Sequence, residues 1–343
     1  MEPKPPKSPS TPREYTVKDV LWRLRDQLQL RAVLAPTTGR YHSKEEIPAR
    51  ALSIRKRWRR ALARLRKRKL DILVDSKKRY RSARQCPLTF VMVHGKPRPC
   101  HLRNICPFCW ARQAAEWWDS IDAAFFKDAV VEDTSHIRGV RRGRAVELDD
   151  VPDPKKKPRK MRAHRYSLVI RSRTFDVGTY RKRPDGVRED MLRQFYLARL
   201  KGAPFNGQDS SWLARVPEIR AGMAAIEEEG YRSGCFENIT ADFAPGRNHW
   251  RVSVRQVWMV PEGADLPPME RQLGVIYRER VVEKPWRTDV MKAVAQACRY
   301  PKAMLSKQGD GAPAFQLVVA RQGLRLAARY GHFRCKRRRG QGE

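Results

Sequence analysis

Four cysteines in one short segment, Cys86, Cys100, Cys106 and Cys109, constrain this chain more than any other feature. The last three stand in the run Cys100-His-Leu-Arg-Asn-Ile-Cys106-Pro-Phe-Cys109-Trp-Ala-Arg112. Two thiolates with two residues between them can grip one tetrahedral zinc from a tight turn, and a second pair completes the site. Between Cys86 and Cys100, Leu88 and Phe90 to Val93 read as a strand and His94-Gly95-Lys96-Pro97 as a turn. The expectation is a zinc-stapled segment. His94 and His101 are rivals to Cys86 as the remaining ligand, ranked below it. A staple of this kind says how a segment is held, not what it does. The seven cysteines are an odd number, and with the CxxC spacing they suit a reducing cytoplasm better than a disulfide framework.

Charge is the second constraint. Lys and Arg number 73 against 37 Asp and Glu, a formal net charge of +36. A field of that sign condenses onto polyanions, so nucleic acid is the expected partner. No long apolar run and no lipid-anchor motif is present, so a membrane is not expected, nor is a signal peptide. Apolar residues make up 41% of the chain, enough for a substantial core.

The organisation follows from composition and periodicity. Residues 1–15 read as a disordered tail, 16–85 as a basic helical extension, 86–130 as the zinc segment and a helix, and 131–164 as a loop. Residues 165–334 read as the core and 335–343 as a basic tail. Val17, Val20, Leu21, Leu24 and Leu28 predict a first helix over about 16–35. Ser43 to Glu46 resembles a capping box. The helix after Pro48 carries ten cations between Arg55 and Lys69, among them Arg57, Arg60, Arg64 and Lys67. Cations this dense repel one another and are stabilised by phosphates, so these four are candidate DNA contacts.

Further on, helices are expected over about 110–129, 187–200, 211–229 and 312–329, and from about 288 to Pro301. Strands are expected over about 165–171, 232–243 and 251–260, the last two joined by the turn Pro245-Gly-Arg-Asn. In the last strand Val252, Val254, Gln256, Trp258 and Val260 share one face, and Arg251, Ser253, Arg255, Val257 and Met259 the other. The fold class is α+β, a mainly antiparallel sheet flanked by helices.

The cysteine run resembles the cysteine motif of rolling-circle plasmid replication initiators, the HUH-type Rep proteins. Tyr166-Ser-Leu-Val-Ile170, Gly234-Cys-Phe-Glu237-Asn-Ile-Thr240 and Cys298-Arg-Tyr300-Pro-Lys302 resemble further family segments, in the same order. So do Ala320-Arg-Gln-Gly-Leu-Arg325 and Gly331-His-Phe-Arg334. Together they span about residues 86 to 334. The resemblance implies a Rep-like core, replication initiation at a single-stranded or hairpin DNA origin, and host helicase and polymerase as partners. It implies Tyr300 as the nucleophile that forms a 5′-phosphotyrosine and frees a 3′-OH. It also implies Mg²⁺ or Mn²⁺ held by paired histidines.

This chain departs from the family pattern at those catalytic positions. Arg251, Ser253 and Arg255 stand where the histidines belong, and Arg cannot ligate a cation. Gln296 stands four before Tyr300, in place of an assisting glutamate. Glu237 and Asp242, with His249, are candidates for a substitute carboxylate site. Arg251 and Arg255 are candidate phosphate contacts. Two functional expectations therefore stand side by side, a nicking-rejoining enzyme working through Tyr300 and a Rep-derived binding protein without that chemistry. A general RNA- or DNA-binding basic protein is the third.

Overall fold

The structure is a computed structural model. It describes residues 46–74, 77–86, 92–93, 96–97, 100, 102, 105–126, 130–132, 160–206, 209–227, 232–305 and 311–334, and every statement below concerns these. The expected helix over about 16–35, Ser43, His94, His101 and Cys335 lie outside them.

The centre of the fold is a five-stranded antiparallel sheet. Its strands are β5 (Tyr166–Gly178), β8 (Gly234–Ala244), β9 (His249–Pro261), β10 (Ile276–Val282) and β11 (Ala327–Gly331), in the order β10-β5-β9-β8-β11. Strand β9 is central because both its faces can be buried. Val252, Val254, Gln256, Trp258 and Val260 are covered on one side, and Val257 and Met259 on the other. The expected hairpin is present, and Pro245–Arg247 forms its turn. The turn closes on Asn248, whose φ of 50° is left-handed, a conformation Asn tolerates.

One face of the sheet packs on α5 (Met191–Lys201) and α6 (Arg215–Glu227), and the other on α7 (Arg287–Ala297) and α4 (Pro107–Phe126). Helix α5 is capped at both ends. Asp190 Oδ1 accepts from the Arg193 amide at 3.2 Å, and Gly202 takes the left-handed C-terminal position at φ 69°. The aromatic residues of α4 are core, as Trp117, Trp118, Ile121, Phe125 and Phe126 are all buried. The basic helix α1 (Glu46–Lys67) is followed by α2 (Asp71–Val74) and α3 (Lys77–Gln85). It buries Trp58, Leu62 and Leu65, and Trp58 Nε1 donates to the Ala83 carbonyl at 3.0 Å, joining α1 to α3. Helix α1 lies against the 3₁₀ turn Lys302–Leu305 and α8 (Ala312–Arg321). Among the described residues, no helix is long and apolar enough to cross a membrane.

Several sequence expectations are corrected. The strand expected to stop near Arg171 continues to Gly178, because Arg171 and Arg173 are buried in ion pairs that a linear reading takes as surface charge. Residues Arg188–Asp190 form a short strand, β7, paired with β6 (Tyr180–Lys182), and the helix starts only at Met191. The last helix ends at Arg321, and Ala327–Gly331 is an edge strand. There Gly331 has φ 56°, and an added Cβ would lie 2.3 Å from the Ser233 carbonyl oxygen, so only glycine fits. Strand β10 is not expected from the sequence, because its Arg278-Glu279-Arg280 centre carries the alternating charge of an exposed edge. The stretch expected to be a loop after Ala129 begins and ends in a small ladder, β3 (Val130–Glu132) with β4 (Lys160–Arg162). The hairpin between the cysteines pairs β1 (Met92–Val93) with β2 (Lys96–Pro97), so Lys96 and Pro97 belong to its second strand rather than its turn.

A cysteine knuckle and a basic cleft

The four cysteines converge. Cys86, Cys100, Cys106 and Cys109 are all buried, and their sulfur atoms lie within 4.8 Å of one another. Cys86 follows α3, its amide bonded to the Ser82 carbonyl at 3.1 Å. Cys106 closes a tight turn, its amide on the Leu102 carbonyl at 2.7 Å, and Pro107 starts α4 where its missing N–H costs nothing. Cys109 stands in the first turn of that helix. The Cys100 and Cys109 sulfurs are 3.2 Å apart. Hydrogen bonds from Cys100, Cys106 and Cys86 hold the Cys109 thiol far below its ordinary value, while burial raises Cys86 and Cys106. Four buried sulfurs at this separation fit a single thiophilic metal ion such as zinc.

A buried arginine packs on the residue that follows the last of these cysteines. Arg321 is buried, and none of its three guanidinium nitrogens makes a hydrogen bond. It lies 5.0 Å over the ring of Trp110, the residue after Cys109. A buried guanidinium without an acceptor is costly, and burial pulls Arg321 below the ordinary arginine value, with Tyr196 and Tyr300 opposing the shift.

Tyr300 lies against this knuckle and not in a cleft. It is 2% exposed, its hydroxyl donates to the Ile105 carbonyl, and its ring meets Trp110 edge-on at 6.4 Å. Burial pushes the phenol well above its ordinary value. In this conformation the hydroxyl is turned into the knuckle and is not exposed to an incoming phosphodiester.

On the opposite end of α7 from its start at Arg287, three side chains from three elements cap three consecutive carbonyls. Arg255 Nη1 donates to Gln296, Asn238 Nδ2 to Ala297 at 2.7 Å, and Trp110 Nε1 to Cys298 at 2.7 Å. Helix ends leave such carbonyls unpaired, and the negative end of the helix dipole favours a cation there. Arg255 is therefore a helix cap as well as a candidate phosphate contact.

Beyond α7 the sheet face is open. A cleft of about 1470 Å³ is lined by Arg251, Arg255, Arg278, Arg280, Arg299 and Lys302, with Asp242 opposing them. Strand register sets the rows. Arg278, Ser172, Arg255 and Asn238 form one line across four strands, and Thr174, Ser253 and Thr240 the next. Thr174 Oγ1 and Ser253 Oγ are 3.1 Å apart. Burial, then the neighbouring Arg299, pulls Arg255 below the ordinary arginine value; Asp242 opposes this and Arg278 adds to it. Guanidiniums crowded in this way favour an anion between them. Arg251 is at the outer end, 3.7 Å from Asp176, which also lies 3.2 Å from His249 Nε2.

The substitute carboxylate set does not assemble. Glu237 points to the far face, where it is fully buried with Arg199 and Arg215, while Asp242 and His249 face the cleft side. Arg199 also pairs with Glu218, which binds Arg173 and Gln256. The network sits beneath β9 and stiffens the floor of the cleft.

On α1, Arg60 and Lys67 are exposed and Arg57 and Arg64 half-buried, and the helix lies against the turn whose Lys302 lines the cleft. Arg278, Arg280 and Arg299 are site residues that sequence reasoning missed. Strand pairing brings Arg278 and Arg280 to the Arg255 side of the sheet, and the end of α7 brings Arg299 there. No protein-family model matches the chain, and searches of curated proteins and of solved structures found no match.

Proposed function

We propose that the chain is a replication-initiator-like protein that binds nucleic acid through its phosphates and does not use Tyr300 as a nucleophile. The observation that carries the reading is the cleft over β9, where Arg255, Arg278 and Arg299 crowd together beside a row of hydroxyls. Phosphate oxygens satisfy such guanidiniums, and Ser172, Thr174 and Ser253 can bond phosphate or sugar oxygens. The cationic face of α1 extends the contact onto a flanking segment. The knuckle holds zinc in this reading, and zinc serves structure.

The likeness to Rep proteins adds an origin-type DNA, single-stranded or hairpin, as the ligand. It is supported by the order of the quoted segments and by a five-stranded antiparallel sheet with the Arg251-Ser253-Arg255 strand at its centre. Arginines where that family keeps histidines would hold phosphate directly, without Mg²⁺ or Mn²⁺.

The test is binding of the full chain to labelled single-stranded, hairpin and duplex DNA and to single-stranded RNA, over a range of salt. Arg278→Glu with Arg299→Glu should weaken binding at least ten-fold, about 1.4 kcal/mol. Retained binding in that variant would move the interface elsewhere. A denaturation-resistant adduct in EDTA or Mn²⁺ that disappears in Tyr300→Phe would overturn the non-nicking part.

A further inference from the structure

We infer that the cysteine knuckle regulates the nucleic-acid cleft, acting through the last turn of α7. The inference rests on the phosphate-binding reading above and names what controls that site.

The path is continuous and made of specific bonds. Ile105 and Cys106 close the knuckle turn, and the Ile105 carbonyl is held by the Tyr300 hydroxyl. Trp110, next to Cys109, donates to the Cys298 carbonyl at 2.7 Å. Cys298 and Tyr300 are thus pinned to the knuckle from both sides of Arg299, whose side chain lines the cleft. One and two residues earlier, the Ala297 and Gln296 carbonyls receive Asn238 and Arg255 from the cleft floor. The segment from Gln296 to Tyr300 is therefore bonded to the knuckle on one side and to the cleft on the other.

Cys86, Cys100, Cys106 and Cys109 would hold a metal ion between them, and that shared centre would fix the knuckle turn. Without the ion, four mutually close thiols have no shared centre, and the bonds at Ile105 and Trp110 have no fixed anchor. The last turn of α7 then frays, and Arg255 and Arg299 leave their set positions. Trp110 and Tyr300 are positioning residues on this reading; they touch no ligand. Metal loss would be read out as weaker nucleic-acid binding.

The experiment compares the zinc-loaded full chain with the chelator-stripped chain, beside Trp110→Phe and Arg255→Gln. Amide exchange over the last turn of α7 and binding to a labelled oligothymidylate are measured on each. Stripping should speed exchange there and weaken binding roughly ten-fold, the scale of one misplaced charge-assisted hydrogen bond. Trp110→Phe keeps an aromatic ring, should keep its zinc, and should shift both readouts in the same direction. In Arg255→Gln, stripping should weaken binding less than in the parent chain, because one coupled interaction is already gone. Unchanged exchange in both the stripped chain and Trp110→Phe would overturn the link. An equal loss of binding on stripping with and without Arg255 would overturn its route. If the zinc-loaded parent chain does not bind the oligonucleotide, the nucleic-acid reading fails, and the exchange data still decide the link.

Discussion

The Tyr300 hydroxyl donates its hydrogen bond to the backbone carbonyl of Ile105, 195 positions earlier in the chain. The tyrosine that a family resemblance marks as a nucleophile is here a strut between the end of α7 and the cysteine knuckle. Tyr300→Phe leaves a buried carbonyl unpaired and should destabilise the protein by about 1–3 kcal/mol. Urea unfolding at constant zinc measures this. A variant as stable as the parent would remove the strut.

Metal content follows from the sulfur cluster. The purified chain should carry one zinc, read by elemental analysis, and Cys106→Ser should release it and lower thermal stability. A metal-free chain with an unchanged unfolding midpoint would show that the thiols pack without an ion.

The network under β9 has a pH signature. Burial alone would raise the Glu237 carboxyl from its ordinary 4.5, but Arg199 and Arg215 hold it down to about 2. A depressed folded value means that the stabilisation is complete above about 4.5 and is lost as pH falls toward about 2. Glu237→Gln should cost about 3–5 kcal/mol at neutral pH, because Arg199 and Arg215 lose their buried counter-charge. It should also flatten the acid limb of the stability curve. An acid limb of unchanged slope in the variant would assign it to other carboxylates.

The basic helix has a salt signature. Reversing Arg57, Arg60, Arg64 and Lys67 should weaken binding to all sequences alike. It should also reduce the slope of log K against log salt by about 0.7–0.9 for each phosphate that is no longer neutralised. A slope equal to the parent's would assign these side chains to packing, since Arg57 and Arg64 are half-buried.

Much of the fold was legible because it is locally encoded. The β8–β9 hairpin shows as two alternating runs around Pro245 to Asn248, and the apolar residues of α4 show its buried face. Charge defeated the reading elsewhere. Arg171 and Arg173 look like surface residues, and Glu237 like part of a carboxylate site, until their partners, Glu279, Glu218 and Arg199, arrive from distant segments. Strand β10 was invisible for the same reason, and with it Arg278 and Arg280.

By itself the sequence determined the cysteine cluster, the polyanion-attracting charge, the α+β class and the two faces of β9. Each depends on residue type and spacing along the chain, which periodicity and ligand geometry convert directly into structure. The tertiary structure alone decided that Tyr300 is buried against Ile105, that Glu237 lies on the far face from Asp242, and that Arg255 caps α7. Those outcomes depend on which distant groups meet, and leaving a buried charge or carbonyl without a partner carries a large penalty.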